Sequence, residues 1–195
     1  MEPQKNFNFN RNKMASFAAL GPSNHSREER EENDFYATDP KTVDLFMERA
    51  LKDGLFQDMQ NQKIWECACG TGCLSERLKY FGHNVFSTDI VDRGYGEMMD
   101  FLKVDNLPKE CTCILTNPPY KYALDFVKHS LDLLPANGLC VMFLKTTFLE
   151  GQKRHAELFC KNPPKYVLQF SKRVLCAKDG DFQRMRDGGG SAVSY

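Results

Sequence analysis

No apolar run in this chain approaches the roughly 20 residues that a membrane-spanning helix needs. Leu139-Cys-Val-Met-Phe-Leu144 is strand-sized. The amino terminus is polar and Asn-rich and lacks the apolar core of a signal peptide, so the chain is expected in the cytoplasm, away from membranes. Eight cysteines are present, but no C-x-x-C pair is among them. The four histidines, His25, His83, His129 and His155, show no ligand spacing. These absences argue against a zinc site or a disulfide framework. Cys67, Cys69, Cys111, Cys113 and Cys140 lie in apolar, strand-like stretches and read as reduced core thiols. No internal repeat and no large inserted domain are visible. A chain of 195 residues, 42% hydrophobic, has enough apolar side chains for one ordinary domain.

Net charge is also lacking, since 26 basic residues balance 26 acidic ones. The balance is uneven along the chain. Residues 26–58 hold ten acids against five bases, whereas residues 145–186 hold ten bases against four acids. The second stretch permits a phosphate-facing surface; a merely solvated face is the competing explanation.

Residues 1–33 read as a flexible polar arm, with Asn repeats and the charge run Arg27-Glu-Glu-Arg-Glu-Glu32. Residues 34–195 read as the folded domain. A helix is expected from Thr38 or Asp39, with Pro40 in its first turn and Gly54 at its end. Strand and helix patterns then alternate. Strands are expected near 63–69, 84–89, 99–102, 111–116, 139–146 and 165–171, and helices near 74–81 and 121–134. This alternation is the signature of a doubly wound α/β domain with a mostly parallel sheet.

Three segments carry chemistry. The first is Asn117-Pro118-Pro119-Tyr120, at the end of the apolar run Cys111–Thr116. Such a group can hold a flat amine. The Asn side-chain oxygen and the Pro118 carbonyl accept its hydrogens, and Tyr120 stacks on its ring. Two acceptors on one NH2 localise its lone pair for attack on an electrophile. A plain strand-ending turn is the competing reading. The second segment is Glu66-Cys-Ala-Cys-Gly70-Thr-Gly72, a tight glycine turn between a strand and a helix. Ser75 stands where a dinucleotide fingerprint has its third glycine, and no Gly-Lys-Ser/Thr follows, so the segment is no P-loop. The third is Asp89, at the end of Asn84–Asp89 and nineteen residues past Gly70, near the spacing of a ribose-binding acid. A helix cap or a turn is the competing reading of Asp89.

Together these residues resemble the class I amino-group methyltransferases that use S-adenosylmethionine, and most closely the short phage-type adenine-specific DNA methyltransferases. The likeness covers about residues 33–195. It implies a Rossmann-like, seven-stranded sheet, with Ser191–Tyr195 as a last, antiparallel strand cut short at Tyr195. It implies Asn117, Pro118, Pro119 and Tyr120 as the catalytic set. Glu66, Gly70, Gly72, Asp89, Asp100 and Phe101 would hold the cofactor. Phe35-Tyr36-Ala37-Thr38-Asp39-Pro40 resembles a further cofactor motif, which adds Tyr36, Thr38 and Pro40.

The implied partner is nucleic acid, DNA first, with no metal, in a bacterial or phage-infected cell. Phe148, Lys153, Arg154, Lys178 and Arg184, on two loops expected beside Asn117, would contact the flipped base and its strand. A protein-glutamine amide, adenine in RNA, and a truncated domain that binds without turnover stay open as alternatives. The sequence does not give the oligomeric state.

Overall fold

The computed structural model describes residues 35–54, 63–178, 180–184, 186–187 and 191–193. The amino-terminal arm therefore lies outside the described residues. At the centre is a parallel sheet of five strands. They are β2 (Lys63–Glu66), β3 (Asn84–Asp89), β4 (Glu97–Met98), β5 (Cys111–Thr116) and β6 (Leu139–Met142), in the order β4-β3-β2-β5-β6. Ile64 and Trp65 of β2 and Cys113, Ile114 and Leu115 of β5 are buried in unbroken succession because both faces of the sheet are covered.

Alternating side chains divide the core into two layers. Ile64, Cys113 and Leu115 pack with Val43, Phe46, Met47 and Ala50 of α1 (Pro40–Lys52) and with Leu74 and Leu78 of α2 (Cys73–Tyr80). Trp65 and Ile114 point the other way, to Phe101 and to Phe126 of α3 (Ala123–Leu133). This is the doubly wound arrangement expected from the strand–helix alternation. α1 begins where the sequence predicts. Asp39 caps it by accepting from the Lys41 N–H at 3.0 Å, and Pro40 occupies the first turn, where no N–H is needed. No helix among the described residues is long and apolar enough to cross a membrane.

The carboxyl-terminal third departs from expectation. Residues 165–171 form no strand. Their burial alternates, with Leu168 and Phe170 half-buried against the α1 layer and Val167 and Gln169 exposed. The two-residue period is present, but the segment pairs with no strand among the described residues. The last strands build a separate sheet instead. β7 (Val174–Lys178) pairs antiparallel with both β1 (Tyr36–Thr38) and β8 (Ser191–Val193), in the order β1-β7-β8. Ser191–Val193 thus joins β7 and does not enter the central sheet. The short strand expected at 99–102 is resolved into β4 at Glu97–Met98 and a 3-10 turn at Phe101–Lys103.

All eight cysteines are free, with Cys67, Cys69, Cys111 and Cys113 buried and Cys140 half-buried. Burial raises the Cys69 thiol to about 12 and the Cys140 thiol to about 11, so both are neutral at physiological pH.

Candidate active site

The strands β2, β3, β5 and β6 run parallel, so the turns that follow them share one edge of the sheet. Strand order reverses between β2 and β5, because the chain builds outward from β2 through β3 to β4 and then returns to the other side. Open α/β sheets bind ligands in the crevice at this position. The turn after β2 carries Gly70 and Gly72, β3 ends in Asp89, and β5 leads into Asn117.

The glycine turn is tight for definite reasons. Gly70 and Gly72 adopt φ of +54° and +84°, in the left-handed region that disfavours side chains. A Cβ on Gly70 would collide with the Phe35 ring, and one on Gly72 with the Tyr95 ring. Asp89 joins this turn to β3. Its Oδ2 accepts the Gly70 N–H at 2.8 Å, and its Oδ1 accepts the Val91 N–H at 3.0 Å and Arg93 Nη1 at 3.2 Å. A carboxylate oxygen accepts about two hydrogen bonds, so Oδ2 keeps room for another donor. The Arg93 guanidinium also lies 4.8 Å from the centre of the Phe35 ring. Beneath the turn, Glu66 is buried and accepts from the Ser75 hydroxyl, which lies 2.6 Å from that of Ser87. Burial raises the Glu66 carboxyl from 4.5 to about 8.

Asn117 faces β1. Its Nδ2 lies 3.1 Å from Thr38 Oγ1 and 3.5 Å from the Tyr36 carbonyl oxygen. A carbonyl only accepts, so the amide nitrogen must be the atom turned toward it. That orientation leaves Asn117 Oδ1 buried and without a hydrogen-bond partner among the described residues. Pro118 is buried, and the Pro119 carbonyl accepts the Tyr122 N–H at 2.9 Å to form the turn. The Tyr120 ring is stacked near that of Tyr36, with centroids 6.5 Å apart, and Lys145 Nζ lies 4.4 Å from its centre. Asn117–Tyr120 thus combines a buried acceptor without a partner among the described residues and, three positions on, an aromatic ring.

The remaining sequence candidates take varied places. Pro40 opens α1. Asp100 accepts the Leu102 N–H at 3.2 Å and pairs with Lys103 at 2.8 Å. Phe101 is 2% exposed and packs edge-on to Trp65 at 5.1 Å. Its ring is committed to the core, which leaves only its backbone for a ligand.

Phe148 lies on the turn that follows β6, with Phe159 6.0 Å away and the Arg154 guanidinium 5.2 Å above its ring. Arg154 donates to the carbonyls of Glu150 at 2.7 Å and Thr147 at 3.0 Å, so it braces its own loop. Lys153 approaches Glu157 at 3.9 Å. Lys178 ends β7 opposite Tyr36 in the ladder. Arg184 is exposed in the helical turn Phe182–Arg184. The loop bearing Lys178 and Arg184 was expected to leave a parallel strand beside Asn117. It leaves the antiparallel β7 instead and passes the glycine turn, where a Cβ on Gly180 would stand 3.6 Å from Phe35 and 3.8 Å from Thr71 Oγ1.

Arg93, Tyr95 and Lys145 were not anticipated. Lys145 had a usable signal, since it falls at the end of the strand expected at 139–146, on the ligand-binding edge. Arg93 and Tyr95 sit in an irregular stretch with no periodic pattern. No group of three or more possible metal ligands occurs among the described residues.

No protein-family model and no curated protein sequence matches the chain. Solved structures do. A protein of Pyrococcus horikoshii described as a candidate RNA methyltransferase superposes with a TM-score of 0.56 at 13% identity, over 82% of each chain. A candidate S-adenosyl-L-methionine-dependent methyltransferase of Methanococcus maripaludis aligns over 64% of this chain and 73% of its own, at 13% identity and a TM-score of 0.36. The first of these likenesses establishes the fold: a Rossmann-like α/β domain shared with a solved protein that is described as a candidate methyltransferase.

Proposed function

We propose that this protein transfers a methyl group from S-adenosylmethionine to the exocyclic amine of adenine in DNA. The observation that carries this reading is Asn117 Oδ1, buried at the carboxyl end of β5 without a hydrogen-bond partner among the described residues. An unpartnered buried acceptor costs on the order of 1–3 kcal/mol. A substrate NH2 would remove that cost on binding. Cytosine and glutamine also carry such a group. A nucleobase is favoured over glutamine by the aromatic Tyr120 and by the basic balance over residues 145–186, and adenine over cytosine by the resemblance of Asn117–Tyr120 to the adenine-specific enzymes.

The donor would lie on the other side of β2, with Asp89 Oδ2 open to a ribose hydroxyl. The Phe35 and Tyr95 rings rest against Gly70 and Gly72 and would have to move aside to admit it over the turn. Tyr36, Pro40, Glu66 and the Asp100–Phe101 backbone would complete the wall. The donor, when bound, supplies a methyl group already activated for transfer to nitrogen. The chain contributes position: Asn117 Oδ1 accepts one amine hydrogen, and the Pro118 carbonyl accepts the other. Together they turn the nitrogen lone pair outward. Tyr120 holds the base plane. Phe148, Lys153, Lys178 and Arg184 would guide the strand, with Arg154 shaping the loop.

Adenine in RNA is the second reading, favoured by the Pyrococcus likeness. One experiment separates them. The protein is incubated with methyl-labelled donor and, in separate reactions, duplex DNA, single-stranded RNA and a glutamine-containing protein, and the modified residue is identified by mass spectrometry. Label in N6-methyladenine of DNA supports the proposal. Label confined to RNA or to glutamine replaces the substrate. No label in any arm, with donor binding intact, removes the catalytic reading.

A further inference from the structure

We infer that Thr38 is a positioning residue for the catalytic amide: its hydroxyl is the main hold on Asn117 Nδ2, while the Tyr36 carbonyl, which only accepts, decides that nitrogen and not oxygen faces β1. The terminal torsion of an Asn side chain is broad, so the amide takes the orientation its neighbours impose. Two neighbours act here, Thr38 Oγ1 at 3.1 Å and the Tyr36 carbonyl at 3.5 Å. The second lies at the limit of a hydrogen bond and is weak. The Thr38 hydroxyl is therefore the principal anchor.

The anchor itself is rigid. Thr38 is 4% exposed and β-branched, which restricts its rotamer. Its backbone is clamped by pairing with Cys176 of β7 on one side and by the Asp39 cap of α1 on the other. Rotating the amide would bring Asn117 Oδ1 against the Tyr36 carbonyl, oxygen to oxygen, and withdraw the acceptor from the substrate side. The sequence resemblance implies a donor-binding role for Thr38. The geometry gives its hydroxyl to Asn117 instead.

The two roles predict different outcomes, and only the kinetic part of the test rests on the methyl-transfer reading. Thr38→Val removes the hydroxyl at nearly constant shape. It should lower kcat by about tenfold to a hundredfold, the scale of a misplaced reacting group. Donor affinity by calorimetry should change less than threefold (~) and Thr38→Ser should recover most of the loss. In the protein alone, the Asn117 side-chain NH2 signals in a 15N-correlated NMR spectrum, identified by their absence in Asn117→Ala, should exchange with solvent about tenfold faster in Thr38→Val.

A donor affinity that falls with kcat intact would overturn the proposal in favour of direct donor contact. Unchanged NH2 exchange would overturn it whatever the activity. Should Thr38→Val fail to fold, Thr38→Ala against Thr38→Ser makes the same comparison. If the wild type transfers no methyl group to any substrate, the proposed function fails by itself, and the NMR comparison still decides the positioning role.

Discussion

The Gly70 N–H donates to Asp89 Oδ2 at 2.8 Å, which ties the turn after β2 to the end of β3. One carboxylate thereby shapes the glycine turn and, in the proposed function, would hold the donor ribose. Asp89→Ala should act on both. Loss of charge-assisted hydrogen bonds of about 1.5–3 kcal/mol should weaken donor binding by roughly tenfold to a hundredfold. The melting temperature should also fall, because Gly70, Val91 and Arg93 lose their acceptor. Calorimetry and a thermal melt measure the two separately. A stability loss with unchanged donor affinity would reduce Asp89 to a turn residue.

The Phe35 ring against Gly70 makes a second prediction. Gly70→Ala places a Cβ at φ of +54°, which costs about 1–2 kcal/mol for an L-residue, and drives it into the ring. Phe35→Ala removes the obstacle but not the backbone cost. Urea denaturation of the two single variants and the double variant should therefore give a coupling energy of about 0.5–3 kcal/mol. Strict additivity would mean that the ring does not rest on the turn.

Much of this was legible in the sequence. The runs Lys63–Glu66, Asn84–Asp89 and Cys111–Thr116 announce buried parallel strands, and Asp39-Pro40 announces a helix start, because each signal is local. Gly70, Asp89 and Asn117 fall at strand ends, so the candidate site follows once the strands are placed. The β1-β7-β8 sheet was not legible. Tyr36–Thr38 is too short to show a two-residue period, and its partner Val174–Lys178 lies more than 130 residues away. Residues 165–171 misled for the opposite reason, since they carry the period but pair with no strand among the described residues. The bond between Thr38 and Asn117 depends on that unforeseen sheet, and no local pattern encodes it.

Glu66 sets a pH dependence of stability. Burial raises its folded-state value from 4.5 to about 8. Between those values the folded chain holds a proton that the unfolded chain has released. Stability from this group is therefore complete below about pH 4.5 and declines as pH rises through about 8, by at most about 1.4 kcal/mol per pH unit. Glu66→Gln cannot ionise, so its stability relative to wild type should climb from pH 5 to pH 8 (~) in chemical denaturation. Parallel pH curves for the two proteins would show that Glu66 is already ionised when folded.

The basic surface makes the last prediction. Lys153 and Arg184 are exposed on segments at the site's edge, and Lys178 ends the strand paired with β1. Arg154 is left intact because its guanidinium holds the Glu150 and Thr147 carbonyls, and its loss would disturb the loop itself. Each lysine or arginine that neutralises a DNA phosphate contributes about 0.9 to the slope of log affinity against log salt. Replacing Lys153, Lys178 and Arg184 together by Ala should therefore weaken DNA binding and flatten that slope by up to about 2.7. Donor affinity should change little, because Gly70 and Asp89 are untouched. Titrations at several salt concentrations read the slope directly. A triple variant that keeps the wild-type slope would assign these side chains to a solvated face and move the nucleic-acid contact elsewhere on the domain.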